Sequence, residues 1–245
     1  MSDSLKTILF ATGLCLVCSL LLTMAATGLK AYQQENALVD RQKNILKAVG
    51  AVAPDQRYTA DEIKALYRDH IKCVSVGGDG EVLSAGAAPA ETLPLYLYEK
   101  NGQTQAYILP VNSRGLWGRI YGYLALDTDG STIAGFTVYQ HSETPGLGGE
   151  IENRWFQRNF VGKKIVDQAG DFVSVKIAKG AVEDAVRQDL QPNYVDGISG
   201  ATMTGKYLTQ GLRDILKTYE PVSIHFRNRG MLKLPENALV CQPPS

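Results

Sequence analysis

A chain of 245 residues can hold one membrane anchor plus a soluble region with a real hydrophobic core, which excludes a mere membrane peptide. Its 25 basic and 25 acidic residues cancel, and no long run of either sign occurs, so nothing in the charge pattern suggests a nucleic-acid partner.

Residues 8–29 carry no charged side chain, and as a helix they span about 33 Å, enough to cross a bilayer. A cleaved signal peptide is the rival reading, because Thr23, Ala25 and Ala26 are small residues after an apolar run. That run is longer than a usual signal core, and its basic lead is only Lys6, which favours a retained anchor. Lys6 and the terminal amine flank one end while Lys30, Arg41 and Lys43 flank the other, so charge counting leaves the orientation open. Cys15 and Cys18 share a face of this segment and read as small apolar residues at a helix interface, with ligation of something held by a partner as the alternative. Cys73 and Cys241 can pair in an oxidising compartment if the fold brings them into bonding geometry.

Beyond the anchor, residues 31–49 read as a mostly polar helix with a narrow stripe of Leu38, Ile45, Leu46 and Val49, stopped by Gly50. A helix near 60–67 has Asp61 and Glu62 in its first turn, where acidic groups suit the positive end of the dipole. A Gly- and Ala-rich break over 77–90 follows. Residues 93–98 and 105–111 flank Asn101-Gly102, a dipeptide that tolerates the positive φ angles of a tight hairpin. The segments 121–126 and 132–139 repeat the pattern around Asp127-Thr128-Asp129-Gly130, and 173–178 adds one more strand. Helices are expected over 152–160, 182–190 and 203–219, the last with Met203, Tyr207, Leu208, Leu212, Ile215 and Leu216 on one side. Strands grouped first and helices later give an α+β class: a twisted, mainly antiparallel sheet with packed helices, preceded by one transmembrane helix. The Pro243-Pro244-Ser245 tail is expected to be disordered.

The segment Asp196-Gly197-Ile198-Ser199-Gly200-Ala201-Thr202 leads from a turn into the 203–219 helix and sets Thr202 at or beside its start. Unpaired N–H groups and the helix dipole favour a phosphate there, and Lys206 lies one turn on. Taken alone, Ser199 and Thr202 read as ordinary capping residues. His70, His141 and His225 are scattered without metal-ligand spacing, and no Gly-x-Gly-x-x-Gly dinucleotide fingerprint follows a strand. Trp117 reads as a core residue before it reads as a stacking surface.

The heptapeptide ending in Thr202 resembles the motif at which flavin transferases attach FMN, through its phosphate, to a threonine hydroxyl. Leu16-Val17-Cys18-Ser19, Gln34-Glu35-Asn36-Ala37, Gly115-Leu116-Trp117, Tyr121-Gly122-Tyr123, residues 143–150 and Val161-Gly162-Lys163-Lys164 extend the likeness along most of the chain. Together they resemble the NqrC family, subunits of the sodium-translocating NADH:quinone reductases. The resemblance implies covalent FMN on Thr202, with Ser199, Gly200, Ala201 and Lys206 around the attachment and Asp196 within the transferase's recognition sequence. It also implies flavin contacts from Glu143, Thr144, Gly146, Leu147 and Gly148, whose glycines let backbone approach a flat ring. No residue is expected to act as an acid-base catalyst, and no metal is expected.

The implied organisation is a short cytoplasmic N-terminus (1–7), a transmembrane helix (8–29), a juxtamembrane helical region (30–90) and an FMN-binding domain (91–245), with 30–245 as one unit the alternative. The soluble part would lie on the periplasmic side of a bacterial inner membrane and relay electrons from NADH to ubiquinone, coupled to sodium export. Its implied partners are the other subunits of the complex, a flavin transferase and the membrane. The RnfG flavoproteins of ferredoxin:NAD oxidoreductases are the nearest rival family, and a non-redox membrane-anchored binding protein is the rival of a different class.

Overall fold

The computed structural model describes residues 2–53, 56–84 and 92–241. The tail at 243–245 and the part of the expected 77–90 break from 85 onward lie outside them. The chain divides into two compact units, residues 1–41 and 42–245. The first is helical: α1 (Asp3–Ala48) runs without a break through both the apolar segment and the polar stretch that follows, and only its last turns belong to the second unit. Its apolar window is long enough to cross a membrane, and none of the residues in it is buried.

In the second unit, Ile45 and Leu46 of the expected apolar stripe are buried together with Ala48, whereas Leu38 of that stripe is exposed. The helix α2 (Ala60–His70) starts with a capping box: the Thr59 hydroxyl accepts from Glu62 N–H, and the Glu62 carboxylate accepts from Thr59 N–H at 2.7 Å. The backbone then turns extended and forms β1 (Ile71–Val76), followed by β2 (Leu93–Lys100), β3 (Gln103–Arg114), β4 (Arg119–Asp127) and β5 (Ile133–Gln140). These pair in sequence order, each antiparallel to the next, as a five-stranded meander. Asn101 and Gly102 both adopt positive φ, 54° and 73°, in the two-residue turn between β2 and β3.

The strands show runs of consecutive buried residues, the pattern of a sheet covered on both faces. On one face Leu95, Leu97, Tyr107, Leu109, Leu124 and Leu126 join the main core with Leu208, Leu212 and Leu216 of α5 (Thr202–Thr218) and Val222 and Phe226 of α6 (Glu220–Arg229). Tyr107 stacks on Phe226 with centroids 4.3 Å apart and donates to Ser223 Oγ at 2.8 Å; burial pushes its phenol above the usual range. On the other face the end of α1 comes against β5, where the Thr137 hydroxyl donates to the Asn44 carbonyl at 3.2 Å.

Three of the expected elements take a different form. The expected strand over 173–178 shrinks to β6 (Lys176–Ile177), which pairs in parallel with β7 (Tyr194–Val195) in a separate two-stranded sheet. The N–H groups of Val173 and Ser174 both donate to Ile165 O, and Ser174 sits at φ 65°, so the backbone there is committed to a bend. The expected helix over 152–160 begins as a 3-10 turn (Gly148–Glu152) and continues as α3 (Arg154–Arg158). That over 182–190 is the short α4 (Val182–Ala185) followed by a 3-10 turn (Gln188–Asn193) containing Pro192, which cannot donate into a longer helix.

The approach of α5 to β3 depends on Gly211, because a Cβ there would fall inside the Ser113 side chain. Replacing glycine by alanine within a helix ordinarily stabilises by about 1 kcal/mol. Here overpacking at about 1–3 kcal/mol opposes that gain. Gly211→Ala is expected to lower the chemical-denaturation midpoint, and an unchanged or raised midpoint would show that β3 yields freely.

Candidate functional site

Three loops that are distant in sequence converge at one end of the sheet. The first is the turn between β3 and β4, closed by Gly115 N–H donating to Gly118 O at 2.7 Å. The second leaves β5 through His141 and reaches the 3-10 turn at Gly148. The third is the turn 196–201 that ends at α5, where Gly200 sits at φ +72°.

Glu143 ties them together. It is only 5% exposed, and its Oε1 accepts from Trp117 N–H at 2.9 Å while its Oε2 accepts from the Thr204 hydroxyl. Its own N–H donates to His141 Nδ1 at 3.0 Å, and His141 Nε2 lies 3.1 Å from Glu152 Oε2. The flanking glycines make room for this carboxylate: a Cβ on Gly115 would lie 2.5 Å from Oε1, and one on Gly148 would lie 2.8 Å from Oε2 and 2.5 Å from the Thr204 oxygen. A Cβ on Gly200 would lie 2.8 Å from Leu147 Cδ2, so the Ser-Gly-Ala-Thr turn and the 143–149 loop are in contact.

Thr202 is the first residue of α5 and is exposed. The cap position is Ala201, with no side-chain capping hydrogen bond, so neither Ser199 nor Thr202 performs the capping role that local sequence suggests. The first N–H groups of the helix are thus left without a side-chain cap, next to a free-standing hydroxyl. Thr204, two residues on, is 1% exposed and engaged with Glu143. Asp196 is occupied structurally: its Oδ1 accepts from Val182 N–H at 2.8 Å at the start of α4.

The turn from Gly200 to Met203 forms part of the wall of two clefts. The smaller, about 300 Å³, is lined by Leu116, Trp117, Glu143, Thr144, Leu147 and Gly148 facing residues 200–204. The larger, about 1040 Å³, takes in Ser199 and Lys206 together with Lys176, Lys179, Tyr194 and Tyr207. The candidate residues therefore divide. Thr202, Gly200 and Ala201 border both clefts, whereas Glu143, Thr144, Leu147 and Gly148 border the smaller and Ser199 and Lys206 the larger. Gly146, at φ +74°, shapes the loop without lining either cleft.

Trp117 corrects the sequence reading. It is 69% exposed on the rim of the smaller cleft, beside exposed Leu116, Leu147 and Met203. The chain leaves the sheet between Gly115 and Gly118, so no core is available to receive the ring, and the flanking glycines were the signal. Leu116 and Met203 were likewise not singled out as site residues from sequence. Among the described residues no cluster of His, Cys, Asp or Glu could hold a metal ion.

Residues 115–217 match the family model of the FMN-binding domain, a span that contains all three loops and α5 up to its last turn. Over 83% of the chain, covering 85% of the relative, the sequence is 38% identical to the NqrC protein of the Na(+)-translocating NADH-quinone reductase of Yersinia pestis. The equivalent protein of Pseudomonas aeruginosa is 36% identical over 82% of the chain and 87% of its own length. A crystal structure of the equivalent protein from Parabacteroides distasonis superposes with a TM-score of 0.66 at 31% identity, covering 80% of this chain and 96% of that one. The NqrC structure of Shewanella oneidensis, 22% identical with a TM-score of 0.58 over 81% of this chain and 98% of that one, shares the fold. The chain belongs to the NqrC family, a subunit family of Na(+)-translocating NADH-quinone reductases.

Proposed function

We propose that this protein is an electron carrier that holds FMN in phosphoester linkage on Thr202 and passes electrons between other subunits of a sodium-translocating NADH:quinone reductase. The observation that carries the reading is the exposed Thr202 hydroxyl at an uncapped helix start, on the wall between an apolar-rimmed cleft and a lysine-lined one.

The residues present fit the group. Leu116, Trp117, Leu147 and Met203 offer apolar surface for a flat ring, and the exposed Trp117 is free to stack. The first N–H groups of α5 and Lys206 suit a phosphate. FMN, once held, supplies one- and two-electron chemistry. The protein binds and orients it, and a cleft of about 300 Å³ is at the small end of ligand sites, leaving part of the ring open to a partner. A covalent tether keeps the local concentration high without a deep retaining pocket. Attachment forms a bond from Thr202 Oγ to the phosphorus of a flavin nucleotide. The nucleotide's leaving group departs with its electron pair, and the hydroxyl proton goes to a base of the transferase.

Residues 8–29 serve as the membrane anchor in this reading, and residues 30–245 stand on the periplasmic side. The Cys73–Cys241 disulfide supports that side, since such bonds persist in oxidising compartments. The test is intact mass and peptide mapping of the full chain produced together with a flavin transferase. The expected result is an FMN phosphoester mass on the peptide containing Thr202. An unmodified Thr202 peptide from that preparation would overturn the reading.

A further inference from the structure

We infer that Glu143 is a positioning residue that also sets the reduction potential of the flavin, its fixed negative charge on the cleft wall making the flavin harder to reduce. The inference rests on the proposal that the cleft beside Thr202 receives the ring.

The geometry gives Glu143 two separable functions. As a clamp, one carboxylate on the 143–149 loop joins that loop to the β3–β4 turn through Trp117 N–H and to the first turn of α5 through the Thr204 hydroxyl. Those elements supply the apolar rim of the cleft, so the rim's shape depends on this side chain. Gly115 and Gly148 lack the Cβ atoms that would displace it.

As a charge, both oxygens accept hydrogen bonds, the pattern of an ionised carboxyl group, and both donors are neutral. Nothing in this triad cancels the charge. Glu143 is nearly sealed from water yet forms part of the cleft wall, so an occupant feels a poorly screened anion. Adding an electron within the cleft adds negative charge there unless a proton follows, and a neighbouring anion disfavours that. Opposite and like charges within contact range shift such equilibria by about tenfold or more.

Two substitutions separate charge from clamp. Glu143→Gln keeps the shape: its amide oxygen can accept from Trp117 N–H and its NH2 can donate to the Thr204 oxygen, so only the charge is lost. Thr204→Val keeps the charge and removes a donor that delocalises it. The two predicted shifts therefore have opposite signs.

The experiment is a dye-mediated dithionite titration of the flavin-loaded full chain, following the flavin absorbance, with peptide mass read first on every variant. Glu143→Gln is expected to raise the potential by about 59 mV, a tenfold change in a one-electron equilibrium. Thr204→Val is expected to lower it. Glu150→Gln is the control for general surface charge: Glu150 is bonded to Trp155 and Asn153 on the neighbouring 3-10 turn, and its substitution should leave the potential unchanged. An unchanged potential in Glu143→Gln, or equal shifts in Glu143→Gln and Glu150→Gln, overturns the inference while leaving the carrier reading intact. Absence of flavin from the Thr202 peptide of the unsubstituted chain overturns the carrier reading and the inference with it.

Discussion

Thr202→Val is expected to abolish covalent flavin completely while changing the stability of the fold by no more than about 0.5 kcal/mol, the usual range for an exposed substitution. The argument is local. Thr202 is exposed, makes no capping hydrogen bond and begins a helix held by Leu208, Leu212 and Leu216 further along. Valine keeps the β-branch and removes only the nucleophilic oxygen. Thr204→Val should show the reverse profile. Its hydroxyl is buried against Glu143, so removing it leaves a carboxylate oxygen short of a donor and costs about 1–3 kcal/mol, with flavin retained. In-gel flavin fluorescence and a denaturation midpoint measured on both variants decide the matter. Fluorescence surviving in Thr202→Val would place the flavin elsewhere.

The contrast between these two threonines shows how far the sequence could be read. The motif and the helix period located α5 to within a residue, because Leu208, Leu212 and Leu216 recur at helical spacing and a glycine precedes the start. The hairpins were equally plain: Asn101-Gly102 and the Asp127–Gly130 turn are short-range signals that tertiary packing does not override. Elements governed by long-range pairing were not legible. The strand β1 follows α2 without a turn residue, and its place at the sheet edge depends on β2, which begins at Leu93 after a long connection. The helix α6 was missed because Pro221, which looks like a stop after Tyr219, occupies the first turn, where its missing N–H costs nothing.

The site divided in the same way. A contiguous motif singles out Thr202 as the candidate attachment residue, but the contact between that motif and the 143–149 loop is tertiary, visible only in the approach of Leu147 to Gly200. Glu143 was identified as a loop residue, yet its role as the clamp requires Trp117, Thr204 and two accommodating glycines, contributed by three loops. Sequence alone assigns Trp117 to the core, because a lone large aromatic usually belongs there. Its surroundings, glycine on both sides of a Leu-Trp pair, describe a turn tip that has no core to fill.

The Cys73–Cys241 disulfide carries the other large prediction. Its Cα atoms are 5.4 Å apart, and it closes a loop of 168 residues, which encloses most of the second unit. Loop-closure entropy for such a span amounts to about 5 kcal/mol, of which measured bridges commonly deliver about 2–4 kcal/mol. The segment it fastens is thin: Ser75 N–H donates to Leu239 O at 2.8 Å, Leu239 N–H donates to Leu83 O at 2.7 Å, and Val240 is mostly exposed. With few apolar contacts to hold it, this segment should peel away from β1 once the bridge is gone, leaving that edge paired only with residues 81–83. Cys241→Ser is therefore expected to lower the guanidinium midpoint of the full chain to that of the unsubstituted chain in excess dithiothreitol. The substitution should also expose residues 238–241 to proteolysis. Equal midpoints for the oxidised chain, the reduced chain and Cys241→Ser would mean that non-covalent contacts alone secure the tail, and that the bridge forms because the fold brings the two cysteines together.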